Sequence, residues 1–128
     1  MTKIFVIDDD EQLGRSIGRI VQRAGHDHRV VETLRAAEEM LDQFVPDLVI
    51  VEIQSGWVSG LTAFRARLNR ARGRPIPLIF TIGRRELYKT IASLALPYDD
   101  WVGKPLDPED FVPRIARALL RADLGPTP

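Results

Sequence analysis

Short apolar runs recur along the chain with helical stripes between them. Ile4-Phe5-Val6-Ile7, Leu48-Val49-Ile50-Val51 and Leu78-Ile79-Phe80-Thr81-Ile82 are β-branched and scarcely alternate with polar residues. Runs of that kind suit strands buried on both faces. A shorter run at 28–31, around Val30-Val31, and a weaker one at 99–103 read as two further strands. Between them, Leu13, Ile17, Ile20, Val21 and Ala24 form a stripe with the 3.6-residue period of a helix. The same period appears in Leu34, Ala37, Met40, Leu41 and Phe44, in Leu61, Phe64 and Leu68, in Leu87, Ile91 and Leu94, and in Phe111, Ile115 and Leu119. Gly25 falls where a helix ends in a positive-φ residue. Pro46, Pro75 and Pro77 stop the helices that precede the third and fourth strands. Strands alternating with helices predict an α/β fold with a parallel sheet covered on both faces. Residues 1–122 make one domain, and 123–128, closing in Gly125-Pro126-Thr127-Pro128, a tail or the start of a linker.

Composition narrows the partners. The formal net charge is +0, which gives no overall attraction to nucleic acid or an anionic membrane. The third helix shows Arg65, Arg67, Arg70 and Arg72 outward, with Arg74 beyond it, and with no net charge behind them these read as a solvated face. Cysteine is absent, excluding disulfides, thiolate chemistry and Cys-based zinc sites. No apolar stretch approaches the ~20 residues that span a bilayer. Met1-Thr2-Lys3 leads straight into a strand without a signal-peptide pattern, so a soluble cytoplasmic protein is expected.

Chemistry gathers at three strand ends: Asp8 and Asp9 after the first, Glu52 after the third, Lys104 after the fifth. In an open sheet of order 2-1-3-4-5 the first and third strands are neighbours, and ligands bind at that switch point beyond the carboxyl ends. Taken singly, Asp9 or Asp10 caps a helix and Lys104 before Pro105 is a turn lysine. Taken together they favour a site. Crowded carboxylates need a cation, which Lys104 or a hard, oxygen-liganded ion such as Mg²⁺ supplies. No nucleophile–base pair and no glycine-rich phosphate loop after the first strand are present, which argues against a small α/β enzyme.

The ordered set resembles the response-regulator receiver domains of two-component systems, the CheY-like group with a three-layer (βα)5, flavodoxin-like fold. The resemblance spans residue 3 to about 121. Asp8-Asp9 resemble its acidic pair, PDLVIVEIQSGWVSGL the segment around its phospho-accepting aspartate, and Lys104-Pro105 its lysine and following, usually cis, proline. It implies Mg²⁺ ligation by Asp8, Asp9 and the Gln54 carbonyl, and a histidine kinase or effector as partner. It also implies an association face on the fourth helix, fifth strand and fifth helix, where Trp101 and Tyr98 lie. Trp57, in a Gly-flanked loop beside the site, is a further candidate partner anchor. Direct contact with nucleic acid or membrane is not expected.

Departures from the pattern bear on the chemistry. The phospho-accepting position holds Glu52, and the hydroxyl position on the fourth strand holds Ile82, with Thr81 one residue early. A one-residue slip turns a side chain to the opposite face of a sheet. Gly56, Trp57 and Ser59 replace the loop's usual residues. Glutamate places its carboxylate roughly 1 Å farther out, and displacement of that order costs ~10²-fold in rate. The expectation is a degenerate receiver that signals by protein contact, binds Mg²⁺ weakly and pairs Glu52 with Lys104. The alternatives are phosphorylation of Glu52 itself and a domain retained as a scaffold.

Overall fold

The computed structural model describes residues 2–53, 58–83 and 87–123. Five parallel strands, β1 (Lys3–Ile7), β2 (Asp27–Val31), β3 (Leu48–Glu52), β4 (Leu78–Ile82) and β5 (Asp100–Gly103), form one sheet of order β2-β1-β3-β4-β5. Among the described residues, the helices are α1 (Glu11–Arg23), α2 (Leu34–Glu39), α3 (Val58–Arg72), α4 (Tyr88–Leu94) and α5 (Pro108–Asp123). No helix among these residues is long and apolar enough to cross a membrane.

The buried strands sort their side chains by parity. Phe5, Ile7, Val49, Val51, Leu78, Phe80 and Ile82 face one side, against Ala37, Leu61, Phe64, Leu68 and Ile91 of α2, α3 and α4. Ile4, Val6, Leu48, Ile50, Ile79 and Val102 face the other, against Ile17, Val21, Phe111, Ile115 and Ala118 of α1 and α5. The sheet is therefore covered on both faces, as the unalternating apolar runs require.

Local chemistry sets the helix ends. Asp10 caps α1, its carboxylate accepting from the Leu13 amide at 3.1 Å. Gly25 follows α1 with φ 96°, and Gly73 ends α3 with φ 77°, the left-handed region that glycine enters without a Cβ clash. Thr33 caps α2 through the Ala36 amide at 3.0 Å. That helix is shorter than its apolar stripe predicts: it stops at Glu39, and residues 40–44 continue as hydrogen-bonded turns that still bury Leu41 and Phe44. A tight turn keeps a spacing of three or four residues, so the stripe does not distinguish it from helix.

The arginines expected on a solvated face are corrected by the structure, because several are bound into it. Arg65 pairs with the buried Asp99, Arg67 with Glu38 of α2, and Arg72 and Arg74 with Asp47 at the foot of β3. Arg72 also donates to the Val45 and Pro46 carbonyls. These contacts lash α3 to its neighbours at the end of the sheet away from Glu52.

Candidate functional site

Parity brings the site together. Asp8 follows Ile4 and Val6, Glu52 follows Leu48 and Ile50, and Lys104 follows Val102, so all three emerge on the α1/α5 side at the strands' carboxyl ends. The backbone keeps them in line: the Asp8 amide donates to the Val31 carbonyl at 3.0 Å, and the Lys104 amide to the Ile82 carbonyl at 2.9 Å. The Lys104–Pro105 peptide bond is cis.

Lys104 Nζ lies 2.6 Å from Glu52 Oε1 and 3.4 Å from Asp8 Oδ2. The expected pairing of Glu52 with Lys104 is thus present. Asp8 is buried, and its Oδ1 accepts from the Asp10 amide at 2.9 Å, so the start of α1 is tied to the crevice. Burial pulls the Lys104 ammonium toward its neutral form. Its hydrogen bond to Glu52 and the charges of Asp8 and Glu52 outweigh that pull and leave its pKa raised. The lysine is therefore a fixed positive charge between two strand ends.

Asp8, Asp9 and Glu52 each bring a carboxylate oxygen to within 4.8 Å of the others. An all-carboxylate set suits a hard divalent cation, which would draw these side chains together and screen their repulsion. Gln54, named as a carbonyl ligand, and Trp57, named as an anchor, lie outside the described residues.

Ile82 is buried in the apolar cluster on the α3/α4 side and brings no hydroxyl to the crevice. Thr81 sits on the opposite face, the one that carries Glu52, and is Glu52's register partner across β3 and β4. Parity places Thr81 away from Ile82, as the one-residue slip requires, and beside Glu52. Tyr98, expected at an exposed interface, is buried beside the Arg65–Asp99 pair. Asp99 holds the loop before it by accepting from the Leu96 amide at 2.8 Å. Trp101 does face outward, with 41% of its surface exposed.

Comparison with known proteins agrees with this arrangement. Residues 4–116 match the family described as response regulator receiver domain. The chain is similar to the response regulator MprA of Mycolicibacterium vanbaalenii, 28% identical over 119 residues that cover 93% of this chain and 50% of that protein. It is also similar to the phosphate regulon transcriptional regulatory protein PhoB of Rhizobium meliloti, 28% identical over 122 residues, covering 95% and 54%. The chain spans about half the length of these curated relatives. A response regulator receiver protein from Sinorhizobium medicae shares the fold at TM-score 0.77 and 19% identity, over 94% of this chain and 96% of that one. A CheY-like receiver domain protein from Methanospirillum hungatei does so at TM-score 0.75 and 20% identity, over 97% and 98%. Receiver domains bind Mg²⁺ at an acidic pocket, and here that pocket is lined by Asp8, Asp9 and Glu52. Its place beyond the strands' carboxyl ends, its lysine from β5 and the match over 4–116 all agree: the chain belongs to the response regulator receiver domain family of two-component signalling.

Proposed function

We propose that this receiver domain signals through protein contact without taking a phosphoryl group on Glu52, and is not an enzyme. The observation that carries the reading is the state of the Glu52 carboxylate. Oε1 is held by Lys104 at 2.6 Å, and Oε2 is buried. A nucleophile needs an accessible oxygen aligned with an incoming phosphorus, and phosphoryl transfer is mostly a matter of positioning and charge. Glu52 here occupies the lysine that would otherwise neutralise the transferred group. In charge, though not in shape, the ion pair imitates a domain that already carries one. Incubation with acetyl phosphate and Mg²⁺, followed by intact mass measurement, tests this. The expected result is no added mass; a stoichiometric phosphoryl adduct that disappears in Glu52→Ala overturns the reading.

The metal pocket follows the same logic. Lys104 already offsets the charge of Asp8 and Glu52, so a cation gains less there than at three unpaired carboxylates. Calorimetric titration is expected to give Mg²⁺ binding in the millimolar range, with Asp8→Asn removing it. Submicromolar affinity would contradict this account of Glu52.

Association is assigned to the face made by α4, β5 and α5, with a second copy of the chain as occupant. Trp101 and Leu96 expose apolar surface there. Asp100 and Arg114 lie alongside as an ion pair, so a two-fold contact would set apolar against apolar with both charges at its rim. An exposed tryptophan is a common centre of such contacts. Sedimentation equilibrium should detect a weak dimer that Trp101→Ala weakens. A monomer at high concentration, the same in both proteins, would remove this face as the dimer contact.

A further inference from the structure

Among the described residues, two buried side-chain polar atoms have no hydrogen-bond partner: Glu52 Oε2 and Thr81 Oγ1. They are not scattered. Glu52 and Thr81 are paired in register on adjacent parallel strands, on the face shared by Ile50 and Ile79. Thr81 is also the register partner of Val102, and Lys104 lies two residues beyond Val102 in the same row. The hydroxyl therefore sits beneath the Glu52–Lys104 bridge, with 0% of Thr81 exposed to solvent.

Buried polar atoms in native proteins are almost always paired, because an unpaired one forfeits its hydration with nothing in return. Here one orphan is a donor and the other an acceptor. Neighbouring strands run ~4.8 Å apart, so rotation about side-chain bonds joins two such groups on one face directly or through one water. A hydroxyl donating to a carboxylate also makes a stronger bond than one between neutral groups.

We propose that Thr81 is a positioning residue of the acidic site: its hydroxyl donates to Oε2 of Glu52. One carboxylate is then gripped from two sides, by Lys104 just past β5 and by Thr81 on β4. The grip keeps Glu52 turned toward the lysine and gives β4 the link to the crevice that Ile82 does not make. That last role rests on the phosphorylation-independent reading; the contact itself does not.

Thr81→Val keeps the shape and removes the hydroxyl, and Glu52→Met removes both carboxylate oxygens. Urea unfolding of both single variants and the double variant gives a sign test. Thr81→Val is expected to lower the unfolding midpoint in the wild-type background. In the Glu52→Met background the hydroxyl has lost its acceptor, and the same change is expected to raise it. The Glu52 side-chain carboxyl ¹³C resonance should shift in Thr81→Val and hold in Thr81→Ser, which retains the hydroxyl. A midpoint raised by Thr81→Val in both backgrounds, or a carboxyl resonance that ignores the valine, overturns the proposal. If Thr81→Val does not fold, the native protein decides. A slowly exchanging Thr81 hydroxyl proton correlated with the Glu52 carboxyl carbon supports the contact, and its absence overturns it. Labelling of the wild type by acetyl phosphate with the sign reversal intact removes the reading and leaves the contact. An unlabelled protein without the reversal does the opposite.

Discussion

Asp99→Ala is expected to lower the stability of the domain by about 3–5 kcal/mol, the cost of stranding the partner of a buried ion pair. The Asp99 side chain is 0% exposed and Arg65 only 12%. Its two oxygens accept from Arg65 at 3.2 and 2.6 Å, from the Leu78 amide at 2.8 Å and from the Leu96 amide at 2.8 Å. One carboxylate thus ties α3, the first residue of β4 and the loop that leads into β5. Truncation leaves a buried guanidinium without its counter-charge and takes the acceptor from two backbone donors, each costly to leave unpaired. Domains of this size are stable by only about 5–15 kcal/mol, so the variant sits near the edge of folding. Chemical unfolding measures it directly. The double change Arg65→Met with Asp99→Leu should lose less than the sum of its single changes, because no charge is then stranded. A single-variant loss below about 1 kcal/mol, the range of exposed pairs, would show that the carboxylate is not a buried hub.

That hub is also where sequence reasoning stopped short. Asp99 stands beside Asp100 at the start of a run, 99–103, that reads as a weak strand, and Arg65 shares a helix with several other arginines. Periodicity assigns a residue to a face, but it carries no information about a partner 34 positions away. The arginine stripe therefore reads as solvated in the sequence, although Arg65, Arg67 and Arg72 are committed to tertiary ion pairs. The strands were legible because burial on both faces leaves a composition that few other environments produce. Their ends were legible too: a carboxylate or lysine closing an apolar run has nowhere to go but the crevice, and Asp8, Glu52 and Lys104 meet there. Tyr98 escapes local pattern for the same reason as Arg65. It is buried beside the loop that Asp99 holds, a contact that periodicity cannot reveal.

The double change Glu52→Asp with Ile82→Thr is expected to turn an unlabelled protein into one that takes up a phosphoryl group from acetyl phosphate in the presence of Mg²⁺. Shortening the side chain by one methylene withdraws the carboxylate by roughly 1 Å, a displacement large enough to decide whether a nucleophile is aligned. It also separates Oε1 from Lys104, now 2.6 Å away, and frees the ammonium to neutralise incoming charge. Asp8 and Asp9 remain in place as the other carboxylates of the metal pocket. Threonine at position 82 supplies a hydroxyl where the family's pattern has one, but it does so inside an apolar cluster with Phe80, Leu87 and Ile91. Until an acceptor arrives that hydroxyl is unpaired, so the double variant should be less stable than the wild type by about 1–3 kcal/mol. The pattern to look for is lower stability with a new mass increment of one phosphoryl group, and with stability regained on labelling. Glu52→Asp alone should label more weakly, since the adduct then lacks a hydroxyl contact from position 82. If the double variant folds, binds Mg²⁺ and still takes no phosphoryl group, these two positions are not what disables transfer. The altered loop residues Gly56, Trp57 and Ser59 are then the next to exchange, because they follow Glu52 closely in the chain and depart from the pattern of the resembled family.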